Sequence, residues 1–235
     1  MAQVQPAVNA FIDEVEALER NFNKNLRTAT RNLSKLSDTE LINAMGQLNL
    51  FNEIVEQGYG QALDRFENEY ALLLQEAVRV AEARGVTALS GAGLQGLEVL
   101  KDLNIEKLLG DAKEHTDALT VQLFQNLYAG ISPNQIVDSL LGEEGMSLAS
   151  HQLQVAAYTG IKTFDDMARY KIFEGLDVKW TYFGPLDDRT RDACRETKEN
   201  EPEGGYTEKQ IKSKEVQTKF GTRGGFNCRH SWEVR

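Results

Sequence analysis

The residues that could do chemistry are crowded into the last quarter of the chain, 178–235. Both cysteines, both tryptophans and one of the three histidines lie there. Cys194 follows the run Asp188-Arg189-Thr190-Arg191, and Cys228 stands two residues before His230. Cys194, Cys228 and His230 together offer three soft or borderline metal donors. Zinc takes about four, from Cys, His and sometimes Asp or Glu. Asp187, Asp188, Glu196 or a water would supply the fourth. A short module with few apolar residues would gain folding free energy from such a site. A Cys194–Cys228 disulfide is the equal alternative to metal, and two free buried thiols are a third reading. Two cysteines are too few for a disulfide framework.

Other groups in the tail read as structure. Asp188, Arg189, Thr190 and Arg191 could bind phosphate or act in catalysis. The simpler expectation is that Asp188 caps the next turn, Thr190 bonds backbone and the arginines pair with the acidic loop 199–203. A Cys228–His230 nucleophile pair is awkward, because nothing obvious orients the imidazole. A His/Cys metal nuclease would need a further His or Asn. His115 and His151 fall in helical stretches and read as ordinary helix-face residues.

The chain has 235 residues and a net charge of −10. The charge is uneven: residues 181–235 hold 11 basic and 10 acidic side chains, so the first 180 hold 15 and 26. An acidic helical body argues against binding DNA by phosphate neutralisation, and no sequence-specific nucleic-acid binding is expected. No apolar run approaches the ~20 residues of a membrane span. The first residues have neither a basic region nor an apolar core, so no secretory signal is expected. Synthesis and folding in a reducing cytoplasm are the default expectation.

The elements that must position the tail are helices. Val8, Phe11, Val15, Leu18, Phe22, Leu26, Ala29 and Leu33 recur in threes and fours, which predicts one amphipathic helix over 7–34. Ser37 and Glu40 write a capping box for the next. Its stripe runs through Leu41, Met45, Leu48, Phe51 and Val55 to a kink or break at Gly58-Tyr59-Gly60. A strong helix follows from Gln61 to Arg84, with Gly85 as its C-cap. Residues 85–96, with Gly91, Gly93 and Gly96, are the expected hinge. A short helix is expected near 94–103, then another capped by Asn104 and running to Tyr128. Ser132-Pro133 restarts the chain in a short helix that stops near Gly142, and 142–145 read as loop. The last long helix is expected over 147–174, with Gly160 inside it as a point of close backbone approach.

The tail then changes period. Residues 178–183 alternate and predict a strand. Gly184-Pro185 turns the chain, Thr190 to Thr197 suits one or two helical turns, and Thr207 caps a short helix. Residues 227–234 are expected to form a second strand pairing with the first. The fold class is therefore mainly α: long amphipathic helices in 1–174, then a small α+β module in 175–235 with a short β-hairpin or sheet.

The order of pieces carries a resemblance. A long helix with Gln154-Val155-Ala156-Ala157-Tyr158-Thr159-Gly160 leads to Val178-Lys179-Trp180-Thr181-Tyr182. Next come Gly184-Pro185-Leu186-Asp187-Asp188-Arg189-Thr190-Arg191 with Cys194, then Tyr206-Thr207-Glu208-Lys209-Gln210-Ile211, then Gly224-Gly225-Phe226-Asn227-Cys228-Arg229-His230-Ser231-Trp232. Over roughly 150–235 this resembles the Mu F-like head morphogenesis family of tailed bacteriophages, the phage minor head or minor capsid proteins. The resemblance implies a low-copy virion protein at the portal vertex of the head. Its partner would be the portal protein, with the major capsid or scaffold protein as further partners, and it would act in head morphogenesis and genome ejection. Trp180, Asn227 and Arg229 belong to the motif pieces as structural residues. Many members carry Cys-x-x-Cys at the first cysteine and Cys-Arg-Cys at the end; here the first place holds Cys194 alone and the second reads Cys228-Arg229-His230. No catalytic residue carries over. The alternative is a metal-dependent nuclease or transferase in the C-terminal module, delivered into the host.

Overall fold

A computed structural model describes residues 4–86, 89–142 and 146–235. Residues 87 and 88 of the expected hinge, and 143–145 of the expected loop after Gly142, lie outside them. The order is α1 (Val4–Leu33), α2 (Asp38–Gln47), α3 (Leu50–Ile54), α4 (Gly60–Glu82), α5 (Gly91–Tyr128), α6 (Pro133–Leu141), α7 (His151–Phe173), β1 (Lys179–Phe183), α8 (Asp192–Glu199), β2 (Tyr206–Thr207), α9 (Glu208–Lys212) and β3 (Ser231–Val234). The mainly α class with a small C-terminal sheet is what the helical and alternating periods predict. No described helix is long and apolar enough to cross a membrane.

The chain divides into two compact units. One takes 6–66 and 105–154; the other takes 67–104, 155–235 and the residues before Pro6. The 174/175 boundary is not an edge of this division.

In the first unit α1 buries Val8, Phe11, Val15, Phe22 and Leu26, the stripe read from the spacing. Phe11 stacks on Phe66 at 4.7 Å between ring centroids. The Ser37 amide donates to Glu40 Oε2 at 2.9 Å, the reciprocal half of the capping box. The stripe from Leu41 to Val55 is not one helix. Asn49 accepts from the Asn52 amide at 2.9 Å and starts α3 afresh. Gly58 has φ 124°, which only glycine adopts cheaply, and it makes the expected kink before α4. The Leu148 amide donates to Glu19 Oε1 at 2.7 Å, and the Ser147 hydroxyl donates to Glu19 Oε2 at 3.0 Å. That carboxylate holds 147–148 outside the helix, so α7 begins at His151 rather than at Ser147.

The expected break near Asn104 is absent, since α5 runs 38 residues without interruption. Ser90 starts it, its hydroxyl accepting from the Gly93 amide at 3.0 Å. Asn104 is not a cap; its side-chain amide donates to the Gly160 carbonyl at 3.1 Å. Gly160 is where another element comes close, because a Cβ there would stand 3.0 Å from Asn104 Cγ. The sheet is antiparallel in the order β2-β1-β3. Trp180 pairs with both Tyr206 and Val234, and Tyr182 with Trp232. The second strand is shorter than 227–234, and β2 is an addition. Trp180, Tyr182, Tyr206, Phe220 and Trp232 form one buried aromatic core with Tyr170 and Phe173 of α7.

Candidate metal centre

Three short pieces meet on the aromatic core. The first is α8, which buries Cys194 in its first turn. The second is the loop before β3, which carries Cys228 and His230. The third is β1, whose alternation turns Tyr182 inward beside Trp180. The expectation that 227–230 is strand fails: Asn227 has φ 54°, and pairing begins only at Ser231. The turn before the strand brings Cys228 and His230 together.

Cys194, Cys228 and His230 are all buried, and their donor atoms lie within 4.8 Å of one another. The two Sγ atoms are 3.7 Å apart, as free thiols. Cys228 Sγ is 3.8 Å from His230 Nδ1. The Tyr182 hydroxyl lies 3.4 Å from Cys194 Sγ and 3.7 Å from Cys228 Sγ. Its ring stacks on the His230 ring with centroids 5.1 Å apart. The pair of thiols is polarised. The Cys194 S–H, against the opposing effect of burial, draws the Cys228 pKa down, with His230 helping. The Cys228 sulfur and burial push the Cys194 thiol up. Burial first, then the sulfurs, push the Tyr182 phenol up.

The donor set fits a metal ion. Zinc–sulfur bonds of about 2.3 Å at the tetrahedral angle put two sulfurs about 3.8 Å apart, close to the 3.7 Å found. Among the described residues His230 Nε2 is buried without a hydrogen-bond partner, and Nδ1 meets Cys228 Sγ. Buried imidazoles are normally bonded or ligated. Two glycines make the room. A Cβ at Gly224 would stand 2.0 Å from Cys194 Sγ, and one at Gly184 would stand 2.3 Å from the His230 ring. Gly224→Ala is expected to cost about 1–3 kcal/mol by overpacking. Chemical denaturation measures that cost, and zinc titration should show weakened binding in the same variant.

The expected fourth ligands are engaged elsewhere. Asp187 receives Arg229 through two bonds of 2.7 and 2.5 Å, which hold its carboxyl well below the usual range. Glu196 accepts from Gln217 at 2.8 Å, and Asp188 is exposed.

The motif residues frame the site. Thr190 bonds backbone as expected, donating to the Pro185 carbonyl at 3.0 Å. The turn is capped by Asp187, not Asp188: the Arg189 amide donates to Asp187 Oδ1 at 3.0 Å. The side chain of Arg191 does not go to the acidic loop. It donates to the Gly224 carbonyl at 2.9 Å and the Phe226 carbonyl at 2.6 Å, tying α8 to the Cys228 loop. Acidic Glu201 instead accepts from the Thr181 hydroxyl at 2.9 Å. The Asn227 amide donates to Thr159 of α7 at 3.0 Å. His115 is half-buried on α5 and His151 is exposed on α7, neither in the cluster.

Sequence reasoning missed a second cluster. Lys162, Asp165 and Asp166 are buried on α7 and bonded to one another, and Arg223 reaches Asp166 at 2.7 Å. The signal was present, since charges at 162, 165, 166 and 169 recur in threes and fours among apolar residues.

No family model, curated protein or solved structure matches this chain.

Proposed function

We propose that this chain is a structural protein of a phage head. In this reading it is a minor head protein of the Mu F-like type, docking at the portal vertex and acting in head morphogenesis and genome ejection. One observation carries the structural reading: Cys194, Cys228 and His230 are closed in beneath Gly224 and Gly184. A structural zinc site is sealed from solvent, whereas a catalytic one must admit water or substrate, and all three donors here are buried. A closed site locks the module and favours a scaffold over a nuclease. The phage assignment rests on the five sequence pieces in family order.

The helices would supply the docking surface. On α5, Val99 and Leu103 are exposed and lie four residues apart on one face. The experiment is co-expression of the full-length chain with the portal protein, followed by size-exclusion chromatography. A stoichiometric complex is expected, weakened by Val99→Asp with Leu103→Asp. Separate elution at both low and moderate salt would overturn the docking role.

A further inference from the structure

We infer that Tyr182 is the fourth ligand of the metal centre, its phenolate oxygen completing a site with Cys194, Cys228 and His230. The inference rests on the metal reading above and adds to it the residue that closes the tetrahedron.

The geometry argues for it. With zinc–sulfur bonds near 2.3 Å and zinc–oxygen bonds near 2.0 Å, a sulfur and an oxygen on one tetrahedral ion stand about 3.5 Å apart. Tyr182 Oη stands 3.4 Å from one sulfur and 3.7 Å from the other. A sulfur and a nitrogen on the same ion would stand about 3.6 Å apart, against 3.8 Å between Cys228 Sγ and His230 Nδ1. These distances match four of the six edges of one tetrahedron with the oxygen at its fourth corner.

The chemistry agrees. A buried phenol usually gives its proton to oxygen or nitrogen. Here the hydroxyl partners found among the described residues are two sulfurs, which are weak acceptors. The side chain is fully buried, stacked on His230 and set against Trp232 at 4.7 Å, so the hydroxyl cannot swing to solvent. The carboxylates that might have served are engaged elsewhere or exposed. On binding, the phenol releases its proton to solvent, as does each thiol still protonated, and the oxygen donates a lone pair to the ion.

The test is titration of Zn2+ into the metal-free full-length protein at neutral pH, followed by ultraviolet difference absorption. One tyrosinate signal per bound zinc is expected, and it should vanish in Tyr182→Phe. That variant should bind zinc more than about 100-fold more weakly, because losing only an outer hydrogen bond costs about 10–100-fold. Tyr182→Phe keeps the ring that stacks on His230 and Trp232, so it removes the oxygen alone. Circular dichroism of the variant separates a ligand effect from a failure to fold. Tight zinc binding without tyrosinate, and unchanged in Tyr182→Phe, would overturn the Tyr182 assignment and leave the other three ligands standing. No zinc binding by the unmutated protein would overturn both.

Discussion

Asp166→Ala is expected to destabilise the protein by about 3–5 kcal/mol, the cost of leaving a buried charge without its partner. Asp166 lies between two cations, Lys162 Nζ at 3.0 Å and Arg223 Nη1 at 2.7 Å. All three side chains are almost fully buried. Arg223 also donates to Thr163 Oγ1 at 3.3 Å, and its Nε is buried with no hydrogen-bond partner among the described residues. Removing the carboxylate leaves Arg223 and much of Lys162 uncompensated in a low-dielectric site. Arg223 directly precedes Gly224, so the loop that carries Cys228 should loosen and zinc affinity should fall as well. Urea denaturation measures the stability cost. Replacing the pair together, Asp166→Leu with Arg223→Met, should recover much of it, because a buried pair is often replaceable by apolar groups. A loss under about 1 kcal/mol for Asp166→Ala would mean that water reaches the network.

Removing the metal should have the second large effect. A ligand present at a thousand times its Kd stabilises the folded state by about 4 kcal/mol. Chelation should therefore lower the melting temperature, and added zinc should restore it. Both tryptophans sit in the aromatic core beside the site, so their fluorescence reports the transition. Cys228→Ala should melt low from the start and ignore both chelator and zinc. A chelator response that survives this substitution would place the metal elsewhere.

Local signals were legible because local physics decided them. The α1 stripe, the Ser37–Glu40 box and the Thr207 cap each depend on residues within a turn or two. Tertiary contacts decided what was misread. Gly91, Gly93 and Gly96 each weaken a helix by roughly 1 kcal/mol, yet α5 is held through them by a buried residue such as Leu97. Asn104 looked like a cap because its type suits one, but its amide is used across to α7. A two-residue strand such as β2 has no period to read. Within the site, Cys194, Cys228 and His230 were visible as chemistry-bearing types, and the structure brings all three together. Tyr182 was not visible, because alternation with Trp180 marks it as an ordinary core aromatic. Only the fold sets its hydroxyl against both sulfurs.

The most direct test of the metal centre is zinc content together with zinc-edge X-ray absorption on the full-length protein purified from zinc-supplied cells. One zinc per chain is expected, with two sulfurs near 2.3 Å and two nitrogen or oxygen neighbours near 2.0 Å. A protein that carries no zinc, and whose melting is the same with and without chelator, would contradict it.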